Sequence, residues 1–174
     1  MRLIVSFSAR RDGNCGDIAR CIAAPGDRIV HFCDLHAHAC AECAYECFGG
    51  QCRYSGDAVH RLYESMKGCE RVILVVPMYC GNPSSLYFAF LERGQGYFRS
   101  EAAYEEVVRR LYIIGVYGAA SETPDFLPCL EKWFADTPYT GRVLGLERHA
   151  FGQKMADRLL DVPQVRMLLE AFMA

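Results

Sequence analysis

Two strand patterns, residues 71–77 and 111–117, constrain the fold more than any other feature of the sequence, and apart from Arg71 at the start of the first both are apolar runs. Both runs are rich in β-branched side chains and show no alternation with polar residues. This pattern is typical of central strands that are buried on both faces of a parallel sheet. Shorter strand patterns cover residues 3–7, 28–33 and 141–146.

Helical patterns separate these strands. They cover residues 17–24, 57–67, 86–93, 101–110 and 124–136, and two terminal helices are predicted at 151–161 and 164–173. Strands and helices that alternate five times predict a parallel sheet with helices on both faces, in a single α/β domain spanning residues 1–174. In such a sheet, ligands bind at the carboxyl ends of the strands.

Composition excludes several classes of protein. The net charge of −2 lacks the basic excess of a nucleic-acid-binding surface. The longest apolar run, residues 72–80, is less than half of the ~20 residues that cross a bilayer. Only a few apolar residues precede Arg10, which is too short for an export signal. We therefore expect a soluble cytoplasmic protein with no nucleic-acid or membrane partner.

The loop after the first strand has the composition of a phosphate-binding turn. Its predicted ligands are the hydroxyls of Ser6 and Ser8, the Asn14 amide, Arg10 or Arg11, and the backbone beside Gly13, Cys15 and Gly16. The loop lacks the glycine spacing of dinucleotide folds and of nucleotide triphosphatases. Such a cradle fits one phosphate better than a pyrophosphate, which indicates a mononucleotide such as FMN. An ordinary surface turn is the alternative.

Two further loops follow predicted strands and have the composition of walls for a flat ring. The first contains Pro77, Met78, Tyr79, Cys80, Gly81 and Asn82, and the second begins with Tyr117 and Gly118. An isoalloxazine ring needs an apolar or aromatic wall and several backbone hydrogen bonds. Loops of this composition supply both.

The order of these pieces resembles the flavodoxin-like NAD(P)H-dependent FMN reductases and, within them, the iron–sulfur flavoproteins. Residues 7–15 stand in the place of the family's G-S-P-R-x-x-G-N-[ST] motif, and they match it at Ser8, Arg10, Gly13 and Asn14. Residues 76–84 match the S-P-x-Y-x-G-x-x-S segment, and residues 86–93 match the L-K-x-F-x-D-R helix that follows it.

The resemblance implies a flavodoxin-like three-layer sandwich with a five-stranded parallel sheet in the order 2-1-3-4-5. It also implies a homo-oligomer and bound FMN, which contacts Ser8, Arg10, Asn14, residues 77–82, Tyr117 and Gly118. The implied activity is NAD(P)H-dependent reduction of a flavin, a quinone or another small acceptor, with the flavin and no side chain carrying the chemistry. The alternatives are a non-catalytic electron carrier with a redox-protein partner, and a zinc-stabilised scaffold without flavin.

Four cysteines are concentrated in an insert loop, residues 34–56: Cys40, Cys43, Cys47 and Cys52. A disulfide framework is not expected in the cytosol. Four thiolates suit a [4Fe–4S] cluster or a tetrahedral zinc. The spacing resembles the C-x2-C-x2-C-x(4–7)-C motif of iron–sulfur flavoproteins, although the second gap here has three residues. A redox cluster, a structural zinc and a loop without metal all remain open.

Overall fold

A computed structural model describes residues 1–119, 121 and 125–174, without the side chains of Ala41 and Glu42. Its sheet contains β1 (Leu3–Ser6), β2 (Arg28–His31), β3 (Val72–Tyr79), β4 (Asn82–Pro83), β5 (Leu111–Tyr117) and β6 (Val143–Glu147). Five strands are parallel and lie in the order β2-β1-β3-β5-β6, and β4 pairs with β3 in the antiparallel sense. Counted among themselves, the parallel strands have the predicted order 2-1-3-4-5.

Seven described helices cover the sheet: α1 (Asn14–Ile22), α2 (Glu46–Gly49), α3 (Ala58–Lys67), α4 (Ser85–Gly94), α5 (Glu101–Val108), α6 (Phe126–Glu131) and α7 (Pro163–Met173). The helices α3 to α6 pack on one face of the sheet, and α1 and α7 pack on the other. The flavodoxin-like three-layer fold is therefore confirmed. None of the helices within the described ranges has both the length and the apolar content needed to cross a bilayer.

The burial of β3 explains why its sequence shows no polar alternation. Val72, Leu74 and Val76 enter one apolar layer, while Ile73 and Val75 enter the other. Successive side chains of a strand point to opposite faces, so a strand that is covered on both sides must be apolar throughout. All five side chains are fully buried.

The prediction of five strands was one strand short. Strand β3 extends to Tyr79 and turns back into β4 through a two-residue connection, Cys80–Gly81. Both connecting residues have positive φ angles, 49° at Cys80 and 81° at Gly81. Such left-handed pairs are typical of tight hairpins. Only Gly81 indicated this turn in the sequence, since a cysteine rarely adopts the left-handed region.

The helix predicted at residues 151–161 was wrong. The segment contains only two 3-10 turns, His149–Phe151 and Leu159–Asp161, and Gly152 between them has a φ of 68°. The Asn14 side chain explains the irregular path, because its amide donates to the Asp157 carbonyl at 3.1 Å and accepts from the Leu159 N–H at 2.8 Å. Tertiary hydrogen bonds thus replace the helical ones.

The ion pair between Arg2 and Asp27 connects β1 to the turn before β2. Arg2 donates to the Asp27 carboxylate from its backbone N–H and from Nε, each at 2.8 Å, and the Ala24 N–H donates at 2.9 Å. Burial alone would raise the pKa of Asp27. The hydrogen bonds from Arg2 and Ala24 outweigh burial and lower that pKa to about 2.

We expect Asp27→Asn to lower the free energy of unfolding by about 2 kcal/mol at neutral pH. Because the folded-state pKa lies below the ordinary carboxyl value of about 3.9, the wild type should hold this stability above about pH 4 and lose it as the pH falls towards about 2. Urea unfolding across this pH range measures the effect. Glu131→Gln, at an exposed carboxylate, is the control. An Asp27→Asn variant that loses stability with acid as steeply as the wild type would contradict the assignment.

Candidate functional site

The first turn of α1 is open towards the carboxyl edge of the sheet. Gly13 is the N-cap residue, has an extended backbone and provides no side-chain cap. The first N–H groups of a helix have no partner within the helix, and they carry its positive dipole end. Within the described residues, nothing caps this terminus from a side chain. It can therefore bind an anion.

Gly16 allows the preceding loop to fold tightly against α1. A Cβ atom at this position would lie 1.9 Å from the Arg11 carbonyl oxygen, a distance at which the backbone would have to move. A Cβ atom at Gly13 would meet nothing closer than the Arg10 carbonyl oxygen at 4.0 Å, which is an ordinary contact. The two positions thus differ in the space for a Cβ atom, and packing requires a glycine only at residue 16.

A cavity of about 130 Å³ lies beside this helix terminus, where the loops after β1, β3 and β5 meet the end of β6. Its lining residues are Ser8, Arg10, Gly13, Asn14, Cys15, Pro77, Met78, Tyr79, Val116, Tyr117, Gly118, Arg148 and Met155. Ten of them are residues that the sequence predicts as FMN ligands or as part of the phosphate turn: Ser8, Arg10, Gly13, Asn14, Cys15, Pro77, Met78, Tyr79, Tyr117 and Gly118. The structure therefore brings three separate loops to one place.

Ser8, Arg10 and Cys15 differ in what they can offer an anion. The Ser8 hydroxyl is 5% exposed and its oxygen accepts from the Arg10 N–H at 3.1 Å, so its own hydrogen is available to a ligand. The Arg10 guanidinium forms no ion pair within the described residues. Arg11, by contrast, pairs with Asp34 at 2.6 Å. Burial raises the pKa of the Cys15 thiol to about 12, so this side chain is a neutral wall.

Five predicted ligands do not line the cavity: Ser6, Gly16, Cys80, Gly81 and Asn82. Ser6 is fully buried, and its hydroxyl oxygen lies 3.5 Å from the Ser8 N–H. Residues 80–82 form the tip of the β3–β4 hairpin. Their role as ligands stays a prediction. Asn14 lines the cavity, but both polar atoms of its amide bind the backbone of residues 157–159.

Sequence reasoning missed three lining residues, Val116, Arg148 and Met155. Val116 lies inside β5, where its pattern indicated only core. Arg148 directly follows β6, and its Nη1 atom is buried without a hydrogen-bond partner among the described residues. No motif marks Arg148 or Met155. The only available signal was the position of Arg148 after a predicted strand, an end at which ligands bind.

The four cysteines of the insert loop lie around the end of α4. The Cys40 thiol donates to the Glu92 carbonyl at 3.2 Å, and the Cys43 thiol donates to the Cys40 carbonyl at 3.1 Å. Burial raises the pKa of Cys40, against an opposing effect of the Arg93 charge. Cys47 and Cys52 both border Gly96. Among the described residues, no three His, Cys, Asp or Glu side chains are arranged to hold a metal.

Arg93 is the charged centre of this cysteine cluster. It is 4% exposed, its Nη1 lies 3.7 Å from the Cys52 sulfur, and its Nη2 pairs with Asp57 at 2.9 Å. Its Nε is buried and has no hydrogen-bond partner in the described part of the chain. The four thiols are soft ligands and suit a soft metal. The positive charge of the guanidinium favours a metal centre that carries negative charge. The described geometry is not that of a closed metal site.

A larger groove of about 430 Å³ lies between α4 and α6, and it is lined mainly by aromatic and aliphatic side chains, among them Phe88, Phe98, Tyr104 and Trp133. None of the three loops at the carboxyl ends of β1, β3 and β5 contributes to it. It therefore lacks the anion-binding features of the smaller cavity. We place the functional site at the smaller one.

Several solved structures share this fold. The chain is similar to the Trp repressor binding protein from Bacillus subtilis, with 16% identity over 99% of this chain and 97% of that one and a TM-score of 0.63. An FMN-dependent NADH-azoreductase from Bacillus anthracis, solved in complex with FMN, shows 10% identity over 98% and 96%, with a TM-score of 0.62. An NADPH-quinone reductase from P. pentosaceus shows 14% identity over 99% and 94%, with a TM-score of 0.60. No curated protein sequence matches the chain.

A family model adds a direct assignment. The model described as NADPH-dependent FMN reductase matches residues 2–123, well over half of the chain. The match includes the loops after β1 and β3 and the start of the loop after β5, which together form most of the cavity. The chain thus belongs to the NADPH-dependent FMN reductase family and is an FMN-containing NAD(P)H oxidoreductase.

Proposed function

We propose that FMN binds in the cavity at the carboxyl edge, with its phosphate at the α1 terminus and its ring beside the loops after β3 and β5. The chain then passes electrons from NAD(P)H to a small acceptor such as a quinone or a free flavin. One observation carries this proposal: an uncapped helix terminus, Ser8 and Arg10, which forms no ion pair within the described residues, line the same cavity as the apolar and backbone groups of the loops after β3 and β5.

The residues of the cavity bind and orient the cofactor, and none acts as an acid or base. The Ser8 hydroxyl, the Arg10 guanidinium and the free N–H groups of α1 donate hydrogen bonds to the phosphate. Asn14 acts indirectly, because its amide holds residues 157–159 over the loop. Pro77, Met78 and Val116 provide an apolar wall for the ring. When bound, FMN supplies the capacity to accept a hydride and pass on its electrons.

The open mouth of the cavity is consistent with two substrates that bind one after the other. Tyr79 is 44% exposed and Met155 is 80% exposed, so the lining is open to solvent at this point. NAD(P)H and the acceptor would bind the same open face at different times. An electron carrier that serves a protein partner is the second candidate. It is favoured by the exposed aromatic pair of the insert loop, Tyr45 and Phe48, which are 62% and 74% exposed.

We further propose that the insert loop closes on a [4Fe–4S] cluster bound by Cys40, Cys43, Cys47 and Cys52. The support is chemical: the loop provides four soft donors, and one of them, Cys52, contacts a buried cation, Arg93, whose charge would compensate that of an anionic cluster. A structural zinc is the competing occupant. The homo-oligomeric state and the cytoplasmic location also stay predictions from the sequence.

We expect Arg10→Gln to weaken FMN binding by about tenfold to a hundredfold, because one charge-assisted hydrogen bond to the phosphate contributes about 1.5–3 kcal/mol. Riboflavin, which lacks the phosphate, should bind both proteins equally. Titration of each apoprotein by flavin fluorescence measures the two affinities. Arg11→Gln is the matched control, since Arg11 pairs with Asp34. Equal losses for FMN and riboflavin would contradict the placement of the phosphate.

We expect Gly16→Ala to lower the free energy of unfolding by about 3 kcal/mol, since overpacking against a fixed backbone atom costs about that much. It should also abolish FMN binding by displacing the loop. Gly13→Ala is the control for stability, because its Cβ would meet no protein atom closer than 4.0 Å. Thermal unfolding compares the two variants, and FMN titration compares Gly16→Ala with the wild type. If Gly16→Ala bound FMN as the wild type does, the loop would not form the phosphate site.

Anaerobically purified protein should contain iron and acid-labile sulfide in addition to FMN. Cys47→Ser should lose the iron and sulfide and keep the flavin, because Cys47 lies in the insert loop outside the cavity lining. Cys21→Ser, at an exposed cysteine of α1, is the control. Metal analysis and the visible spectrum provide the measurement. Zinc in place of iron, or no metal at all, would overturn the cluster proposal without affecting that for FMN.

A further inference from the structure

Arg148 is a cation with an unused hydrogen-bond donor at the cavity. Its guanidinium lines the cavity, and its Nη1 is buried without a hydrogen-bond partner among the described residues. A buried donor that lacks a partner destabilises the folded chain, and it does so more strongly when it is charged. Native interiors leave few such groups, so the position calls for an acceptor that the described residues do not provide.

The backbone holds Arg148 firmly in place. Its N–H donates to the Tyr117 carbonyl at 2.9 Å, and its carbonyl accepts from the N–H groups of Phe151 and Gln153 at 3.1 and 3.0 Å. The next residue, His149, donates to the Gly118 carbonyl at 3.1 Å. Two of these hydrogen bonds fix the end of β6 against the loop after β5, and the other two hold the turn that follows Arg148. The side chain is presented to the cavity from a rigid support.

The guanidinium lies across Gly118. A Cβ atom at residue 118 would be 3.6 Å from the Arg148 Nη2 and 3.9 Å from the Met78 Cε. The buried backbone of Gly118 therefore lies close to both side chains, and all three residues line the cavity. Arg148 and the loops after β3 and β5 surround the same part of the cavity.

Arg148 and Arg10 reach the cavity from strands that lie far apart in the sheet. Arg10 follows β1, and Arg148 follows β6, which is three strand positions away in the order β1-β3-β5-β6. Adjacent strands are separated by about 4.8 Å, which places the two strand ends about 14 Å apart. Because the α1 terminus and Arg10 occupy the phosphate end, Arg148 occupies the ring end.

The phosphate and the ring of FMN differ in how their charge changes during the reaction. The phosphate carries the same charge in both redox states. Hydride transfer from NAD(P)H adds two electrons and one proton to the neutral ring and releases NAD(P)⁺, so the ring gains one negative charge. A fixed cation at the ring end therefore interacts more strongly with the reduced cofactor, and charge at this position is one of the ways a protein tunes a flavin.

We propose that Arg148 contacts the FMN ring and binds reduced FMN more tightly than oxidised FMN, thereby raising the midpoint potential of the bound cofactor. This inference rests on the proposed FMN site. It adds a redox-selective ligand that lies outside the residues matched by the family model. Within the described part of the chain, Arg148 and Arg10 are the two cations that line the cavity.

The test compares Arg148→Gln, Arg148→Lys and Arg10→Gln by two measurements, the Kd for oxidised FMN and the midpoint potential of the bound FMN. Arg148→Gln should change the Kd for oxidised FMN less than threefold and weaken binding of reduced FMN at least tenfold. For a two-electron couple, a tenfold difference lowers the potential by about 30 mV. Arg148→Lys should retain most of the wild-type potential, because it keeps the positive charge.

Arg10→Gln is the contrasting variant. It should weaken both redox forms equally and leave the potential unchanged, since the phosphate charge does not depend on the ring. Thermal unfolding confirms that each variant is folded. An unchanged potential in Arg148→Gln, or equal weakening of both forms, would overturn the role of Arg148 while leaving the FMN site intact. A wild-type protein that binds no FMN would overturn the site and this inference together.

Discussion

The parallel pairing of β1 with β3 and of β3 with β5 is the constraint on which the site depends. It brings three loops that are far apart in sequence to one edge of the sheet. The Ser84 hydroxyl strengthens this arrangement, because it donates to the Phe7 carbonyl at 2.8 Å and so connects the start of α4 to the end of β1. A register shift of one residue in β3 would exchange its two buried faces and move the loop after it relative to the phosphate turn.

The parts of this arrangement that could be predicted are those encoded by local pattern. The sequences of residues 71–77 and 111–117 are compatible with few structures other than buried strands. The alternation of strands and helices then limits the number of possible topologies. The loop residues that contact the proposed FMN could then be predicted as well, because loops that follow parallel strands meet at one edge of the sheet. The β3–β4 hairpin was missed since one of its two left-handed residues is Cys80, a type that does not signal a turn.

The parts that could not be predicted depend on contacts between distant segments. The helix expected at residues 151–161 is replaced by hydrogen bonds to Asn14, more than 140 residues away along the chain. Arg148 carries no motif, and its position follows from its hydrogen bond to the Tyr117 carbonyl. The cysteine spacing was visible in the sequence, but the approach of Arg93 to Cys52 was not. Such pairings are set by tertiary packing, which no local pattern records.

Buried guanidinium donors without hydrogen-bond partners among the described residues occur at both sites. Two guanidinium nitrogens are buried without partners in the described structure, Arg93 Nε among the cysteines and Arg148 Nη1 in the cavity. Elsewhere in the described chain, charged side chains with little exposure have partners, as Arg2 and Asp27 do. Since an open buried donor reduces stability, its retention in a folded domain is best explained by a ligand that satisfies it. Both open donors belong to cations, so both positions favour an acceptor with negative charge. For Arg148 we propose that this acceptor is the reduced ring, and for Arg93 the proposed acceptor is a cluster bound by the four thiols.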